Sequence, residues 1–233
     1  SKDLKNWRLD HYPLNRISQL NLQGVPDGGG IWAPCLSYDG NEVFLVYTNV
    51  KERGPFMTTD NYLVYTDDIT SGNWSEPVYL NSLGFDPSLF HDDDGHSYML
   101  LNRGARILEL DLEKGRQLTP ASLLFYGDQK RAPEGPHLLK KDGYYYLFLA
   151  EGGTGMGHRI SVARSKTLMG NYEPCPYNPI MRQMDEGAAI QRCGHGKPVC
   201  TQNGEWYMVY LCGRMIGDGY SCLLYTSDAA DDL

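Results

Sequence analysis

Four residues with chemically useful side chains stand at matching distances before four short turn motifs. Eight residues before the Asp or Asn of three turns stand Asp86, Glu134 and His195, and seven residues before the fourth stands Trp32. Carboxyl groups can donate and accept protons, a histidine can hydrogen-bond to hydroxyl groups, and an aromatic face can pack against the C–H surface of a sugar. The set therefore indicates a sugar-cleaving site in which one carboxyl group protonates the leaving oxygen.

A purely structural interpretation of the two carboxylates is the alternative. Asp86 directly precedes Pro87, and Glu134 lies two residues before Pro136, where acidic residues often serve as turn or cap residues. For a single residue that interpretation would be preferred. Because carboxylates recur in two repeats and a histidine stands in a third, the pattern favours a functional site.

The elements that would position these residues form a repeat. Each copy has a short apolar stretch, an Asp-Gly or Asn-Gly turn, and a run of aromatic and aliphatic residues, with the turns beginning at positions 39, 94, 142 and 203. Such turns between apolar runs predict β-hairpins, because both central residues need positive φ. Repeats of this length with about four strands each are typical of β-propeller blades, whereas a β-sandwich does not repeat one hairpin at this spacing.

A second repeated element sets the expected number of blades. A turn ending in Trp7, Trp74 or Tyr172 follows the hairpins, but the copy at Trp7 has no hairpin before it. The sequence therefore predicts an all-β, five-bladed propeller in which blade one lacks its inner strands and the last blade is incomplete. In such a fold the inner strands surround a central channel, so matching residues should converge there. The four remaining blades are expected at residues 32–80, 85–125, 133–180 and 190–220.

Composition and charge argue against several classes of protein. The chain has 233 residues, 41% of them apolar, and a net charge of −8, which disfavours a nucleic-acid partner. No apolar run has the length of a membrane span. The six cysteines lack zinc-ligand spacing and are interpreted as mostly buried free thiols. The start at Ser1 leaves the localisation open, with a bacterial cytoplasm or periplasm favoured over a eukaryotic source.

The motifs around these residues resemble glycoside hydrolase family 43, in particular its β-xylosidase and α-L-arabinofuranosidase members. The motifs occur in the expected order at Gly30–Pro34, Gly84–Phe90, Glu134–His137, Ala150–Thr154 and Val162–Ser165. The resemblance implies a five-bladed propeller that hydrolyses O-glycosidic bonds in plant xylan-derived oligosaccharides. It also implies release of xylose or arabinofuranose by an inverting mechanism.

The resemblance also implies roles for individual residues. Glu134 matches the general acid, and Asp86 matches the carboxylate that raises the pKa of that acid and orients it. No cofactor is required, although His195 matches a histidine that lies near substrate, or near a calcium ion in the central channel of some members. The expected substrate contacts are Trp32, His195, Thr154, His158 and Arg214. A plain glycine-rich turn is the alternative for the loop that contains Thr154.

Both ends of the chain carry expectations of their own. The general base of the family belongs to the inner strand of blade one, and no Asp in the sequence matches its motif. The chain by itself is therefore predicted to lack the water-activating group and to be impaired or inactive. Residues 222–233 resemble adapter read-through and are predicted to be a non-native tail, which leaves residues 1–221 as a partial catalytic domain.

Two other functions remain open at this level. One is a non-catalytic propeller that binds carbohydrate, and the other is a transferase or phosphorylase on a related propeller. The recurring carboxylates favour the glycosidase, and all three alternatives take a carbohydrate partner.

Overall fold

The chain is built from β-strands joined by turns. The computed structural model describes residues 1, 4, 6–52, 54, 57–216 and 220–224, and within these ranges it contains sixteen strands and no helix. The predicted all-β class is confirmed. No helix of the described part has the length and hydropathy to span a membrane.

The strands form four sheets, and each sheet is built from one predicted repeat. The first contains β1 (Gly30–Tyr38), β2 (Val43–Glu52), β3 (Thr58–Thr66) and β4 (Val78–Asn81). The second contains β5 (Ser88–His91), β6 (Ser97–Leu101), β7 (Ala105–Asp111), β8 (Arg116–Gln117) and β9 (Ser122–Phe125), which also pairs with β7. The third contains β10 (Glu134–Lys141), β11 (Tyr144–Glu151), β12 (Arg159–Ser165) and β13 (Glu173–Pro174). The fourth contains β14 (Ile190–Cys200), β15 (Trp206–Ile216) and β16 (Tyr220–Leu224).

The predicted turns join the first two strands of each sheet, but they are not all of one kind. Asp142 and Gly143 both have positive φ, 50° and 75°, as a two-residue hairpin loop requires. In the other three loops, which have four or five residues, the glycine has positive φ and the preceding Asp or Asn does not. These longer loops reverse the chain with a single left-handed residue. The prediction of two residues with positive φ is therefore confirmed only at the turn of Asp142 and Gly143.

The contacts divide the chain into two compact units. The first unit contains Asp10–Leu124 and Gly135–His137, with the first two sheets, and the second contains Ser1–Leu9, Phe125–Glu134 and Leu138–Leu233, with the other two. In the first unit, apolar side chains that alternate along the strands form a buried cluster that includes Val46, Leu63 and Met99. Burying each such side chain stabilises the fold by about 1.5–3 kcal/mol. In the second unit, Leu147 and Ile160 are fully buried.

The described cysteines are free thiols, as the sequence indicates. Three of them, Cys35, Cys193 and Cys212, are buried, whereas Cys175 and Cys200 are more accessible. The predicted tail begins at residue 222, within β16, whose last three residues pair with β15. The rest of that tail, residues 225–233, lies outside the described residues.

Candidate active site

A residue in or just before the first strand of each sheet has a left-handed backbone conformation. Ala33, Asp86 and Gly135 each directly precede a proline and have φ of 43°, 56° and 55°, and His195 in β14 has φ of 51°. Glycine adopts this region freely, as at Gly135, whereas at Ala33, Asp86 and His195 it costs about 1–3 kcal/mol each and persists where the surrounding structure imposes it. Such strain is concentrated at functional sites, so its recurrence supports these segments as the candidate site.

This conformation aligns the repeats one residue differently from the count back from the turns. The left-handed residue before proline is Asp86 in the second sheet and Gly135 in the third, so Asp86 corresponds to Gly135. Glu134 then corresponds to Phe85, and to Trp32 in the first sheet. The count failed because the distance from this residue to the turn Asp is eight residues in the second sheet, Asp86 to Asp94, and seven in the third, Gly135 to Asp142. The predicted register between Asp86 and Glu134 is therefore wrong by one residue.

Asp86 is buried in the first unit and holds the backbone next to the proposed acid. Its carboxylate oxygen Oδ2 accepts a hydrogen bond of 3.0 Å from the Gly135 N–H, which is the amide that follows Glu134 in the chain. The Ser88 hydroxyl donates to the Pro136 carbonyl, which ties the same two segments together a second time. Asp86 and Ser88 thus fix the positions of Gly135 and Pro136, the two residues that follow Glu134.

The protonation state of Asp86 differs from that of an exposed aspartate. Burial raises the pKa of Asp86 to about 7, and the hydrogen bond from the Gly135 N–H opposes this increase only in part. The side chain is 7% exposed, which explains why removal of water dominates. Asp86 therefore holds a proton over the acidic range and carries a full charge only above neutral pH.

Two aromatic side chains, Trp32 and Phe85, contact each other in the first unit, and Phe85 directly precedes Asp86 in the chain. The Trp32 indole N–H donates to the Gly28 carbonyl at 2.9 Å, and its ring meets that of Phe85 edge to face at 5.4 Å. The Phe85 N–H donates to Asn102 Oδ1 at 3.0 Å. Phe85 was missed by the sequence reasoning, although an aromatic residue precedes the strained residue in both repeats. Such a pair offers an aromatic surface of the kind that sugars pack against, and contact of Trp32 with substrate stays a prediction.

Glu134 and His195 belong to the second unit. Glu134 begins β10 and is partly buried, and His195 stands within β14. Burial lowers the pKa of His195, while the charge of Glu134 raises it by less. His195 is consequently neutral at pH 7 and offers a sugar hydroxyl one donor and one acceptor.

A bulge in β14 presents His195, and His158 lies beneath it. The pairing of β14 with β15 shifts on both sides of Gly194. His158 Nδ1 lies 2.8 Å from the Arg192 carbonyl, and a methyl group on Gly194 would lie 2.3 Å from the His158 ring. Burial lowers the pKa of His158 to about 4, against the raising effect of the bond to Arg192, so the ring is neutral and donates from Nδ1.

A contact of His158 with sugar stays a prediction. The side chain is 1% exposed and faces the underside of the β14 bulge. A ring so enclosed supports the backbone that carries His195. The sequence offered only a histidine after a glycine-rich loop, which does not distinguish a surface contact from a buried support.

The other predicted contacts lie at separate places in the second unit. Thr154 is exposed in the loop between β11 and β12, where a methyl group on Gly152 would lie 2.1 Å from the Gly157 carbonyl oxygen. The loop therefore turns back tightly and leads into a strand, as the sequence indicated. Arg214 is partly buried in β15 and pairs with Ile190 of β14. Contacts of Thr154 and Arg214 with substrate stay predictions.

A further carboxylate, Glu151, was not given a role from the sequence. It is fully buried at the end of β11 and accepts hydrogen bonds from the backbone N–H groups of Asp128, Gln129 and Lys130, at 3.3, 3.0 and 3.1 Å. These residues lead directly into Glu134. The signal was present in the sequence as a carboxylate ending an apolar strand, a position where a charge needs specific partners.

A protein-built metal site is not found in the described part of the chain. Within it, no group of three or more His, Cys, Asp or Glu side chains is placed to hold a metal ion. A cation near His195 would therefore depend on water for most of its ligands.

Comparison with known proteins identifies the family of the chain. The model of the family described as glycosyl hydrolases family 43 matches residues 1–224. Xylosidase/arabinosidase 43B of Humicola insolens is 46% identical over 96% of the chain and 44% of its own length. A β-xylosidase of Bacillus subtilis (strain 168) is 44% identical over 93% of the chain and 43% of its own length.

A solved structure gives the same result for the fold. The xylan β-1,4-xylosidase of Bacillus halodurans C-125 superposes with a TM-score of 0.90 at 44% identity, covering 95% of the chain and 45% of that protein. The chain thus spans less than half the length of these three relatives.

Proposed function

Because the chain belongs to glycosyl hydrolases family 43, we propose that it supplies the acid-catalyst part of an inverting glycosidase active site. The substrates are oligosaccharides derived from xylan, and the products are xylose or arabinofuranose. The names of the relatives support this substrate class, since they are xylosidases and arabinosidases. One observation carries the assignment of the site: the buried Asp86 carboxylate accepts a hydrogen bond from the backbone N–H of Gly135, the residue after Glu134.

In this proposal Glu134 is the general acid. Its carboxyl proton passes to the glycosidic oxygen as the bond from the anomeric carbon to that oxygen breaks. A water molecule attacks the anomeric carbon from the opposite face and gives its proton to a carboxylate base, so the configuration inverts. The neutral His195 imidazole, next to Glu134 in charge interaction, is suited to hydrogen-bond a sugar hydroxyl.

Asp86 acts on the acid rather than on the sugar in this mechanism. Its bond to Gly135 fixes the direction in which the chain leaves Glu134. A second carboxylate near an acid also opposes loss of the proton from that acid by like-charge repulsion. Since burial raises the pKa of Asp86 to about 7, this repulsion grows as the pH approaches neutrality.

We propose that the four sheets are blades of a five-bladed propeller, with the last blade incomplete. The support is that one sheet arises from each repeat and that strands follow one another in chain order within a sheet. The water-activating base is proposed to lie outside the four described repeats, because their strained segments hold only two carboxylates. Hydrolysis by this route needs no cofactor. A calcium ion near His195 would have a structural role and would take no part in the proton transfers.

The assignment of Glu134 is tested by Glu134→Gln in a longer enzyme that contains this chain. Turnover of unactivated xylobiose should fall by roughly 10²–10⁴, because Gln cannot protonate the leaving oxygen. An aryl xyloside with an acidic phenol as leaving group should lose far less, since it departs without protonation. Steady-state kinetics on both substrates, with xylobiose affinity from calorimetry, measures this.

The matched control is Glu173→Gln, which changes an exposed carboxylate in β13. It should leave both rates unchanged. Equal losses on the two substrates, or no loss in the Glu134 variant, would reject Glu134 as the general acid.

A further inference from the structure

A cavity of about 440 Å³ opens in the second unit beside the segments that carry Glu134 and His195. Arg131, three residues before Glu134, lines it, and so does Gln191, four residues before His195. This volume is typical of sites for small molecules, which span roughly 300–1,000 Å³. The name "arginine cavity" is used below for the space lined by Arg131, Gly157, Arg182, Gln183, Glu186 and Gln191.

One wall of the arginine cavity is fixed by the glycine-rich loop. The Gly152 N–H donates to the Arg131 carbonyl at 2.7 Å, and a methyl group on Gly157 would lie 3.7 Å from Arg131 Nη1. The Arg131 guanidinium therefore lies close to Gly157 of the loop, and the Arg131 side chain is exposed. This wall needs no ligand to hold its shape.

The opposite wall is held by internal hydrogen bonds. Gln191 is 2% exposed, and its Nε2 donates to the carbonyls of Asp185 and Ala188, both at 2.8 Å. Gln183 Oε1 accepts the Asp185 N–H at 2.9 Å. The segment that presents Arg182 and Glu186 is thus built from its own contacts, as a preformed binding site requires.

The charges in the arginine cavity differ from those of the chain as a whole. The chain has a net charge of −8, yet two guanidinium groups and one carboxylate line this space. Among the residues that the structure describes, neither Arg131 nor Arg182 has a carboxylate within ion-pairing distance, Glu186 included. Guanidinium groups bind carboxylates in a two-pronged geometry that a neutral hydroxyl cannot match.

We propose that the arginine cavity binds a sugar that carries a carboxylate, a uronic acid attached to the oligosaccharide substrate. The oligosaccharide part of this inference rests on the proposed function, whereas the carboxylate part rests on Arg131 and Arg182. A uronic acid held by Arg131 anchors the chain three residues from Glu134. The cavity thereby selects acidic branches of xylan over undecorated ones.

The test is calorimetry on the chain at low salt with two probes, xylotriose and the same xylotriose bearing one glucuronic acid. The acidic probe should bind about tenfold more tightly, as expected for a charge-assisted contact. Arg131→Gln and Arg182→Gln should each remove most of this advantage without changing the affinity for xylotriose. Glu186→Gln should strengthen binding of the acidic probe roughly twofold to fivefold, because it removes a like charge.

Arg164→Gln is the matched control, because Arg164 is exposed and lies over the Tyr144 ring away from this cavity. Its affinities should equal those of the unaltered chain, and circular dichroism should show that every variant is folded. Equal affinities for the two probes, or an advantage that survives in the double arginine variant, would overturn the proposal. A Glu134 variant with normal turnover would overturn the proposed function alone, since it leaves this comparison of probes unaffected.

Discussion

Asp86 shows how a single side chain combines a structural and an electrostatic role. Its left-handed backbone, φ 56°, points the carboxylate at the Gly135 amide, and the same enclosure keeps water away from it. A buried carboxylate is costly when ionised, so the folded chain retains a proton that the unfolded chain releases. Ionisation of the buried Asp86 carboxylate therefore lowers the free energy of unfolding.

This cost should appear in the pH dependence of folding. The folded pKa of Asp86, about 7, lies above its unfolded value, so its contribution to stability is present at pH 4 and is lost as the pH rises through 7. Asp86→Asn keeps an acceptor for Gly135 but carries no charge. The variant should gain stability relative to the unaltered chain between pH 4 and pH 8, by at most about 4 kcal/mol.

Urea unfolding followed by circular dichroism at several pH values measures the difference. Asp142→Asn, in an exposed hairpin turn, is the control and should show no such trend. A stability difference between the Asp86 variant and the unaltered chain that stays constant from pH 4 to pH 8 would contradict the raised pKa.

The sequence identified the types of residue in the site better than their positions. Asp86, Glu134 and Trp32 could be found because each stands in a motif before a proline. The offset between Asp86 and Glu134 depends on loop lengths that a fixed count ignores. The burial of His158 could not be predicted, because it arises from a bulge in β14, a strand that is distant in sequence.

Among the elements, β11 has a special place because its last residue organises the segment before the proposed acid. Glu151 accepts hydrogen bonds from the backbone N–H groups of residues 128–130, and in the same segment Lys130 and Ala132 have φ of 57° and 45°. Strained backbone of this kind relaxes unless it is held. The carboxylate at the end of β11 is what holds the approach to Glu134.

Glu151→Gln should therefore weaken both folding and catalysis. The amide places its own N–H groups against backbone donors, so the free energy of unfolding should fall by about 2–3 kcal/mol. In a longer enzyme kcat/KM should fall roughly 10-fold to 100-fold, because Glu134 loses its fixed position. Urea unfolding and steady-state kinetics measure the two effects, with Glu173→Gln as the exposed control. Normal kcat/KM in a destabilised variant would limit Glu151 to a role in folding.

The four hairpins could be predicted because the turn sequences agreed with the strand pairing in the structure. Asp-Gly and Asn-Gly turns between aromatic and aliphatic runs place four hairpins, and each became the first two strands of a sheet. The third and fourth strands of a sheet were less visible. β8 and β13 have two residues each and pair with their neighbours through tertiary context rather than pattern.

At the scale of the whole molecule, the chemistry is divided among segments that are far apart in the sequence. Each sheet contributes one segment with a left-handed residue, and the four segments hold an aromatic residue, two carboxylates and a histidine. Inversion needs a carboxylate acid and a carboxylate base on opposite faces of the sugar. If Glu134 is the acid and Asp86 its positioning residue, as we propose, neither carboxylate of these segments is left to activate water.

The chain alone should therefore bind xylobiose without hydrolysing it. Adding sodium azide should restore slow cleavage, because the azide ion attacks without losing a proton. A nitrogen of azide bonds to the anomeric carbon while the glycosidic bond breaks, and Glu134 protonates the departing oxygen. Because attack comes from the opposite face, a β-linked substrate should yield the α-glycosyl azide, detectable by NMR. Glu134→Gln should abolish that product, whereas Glu173→Gln should not. Release of xylose from xylobiose without azide would show that a base is present within the chain.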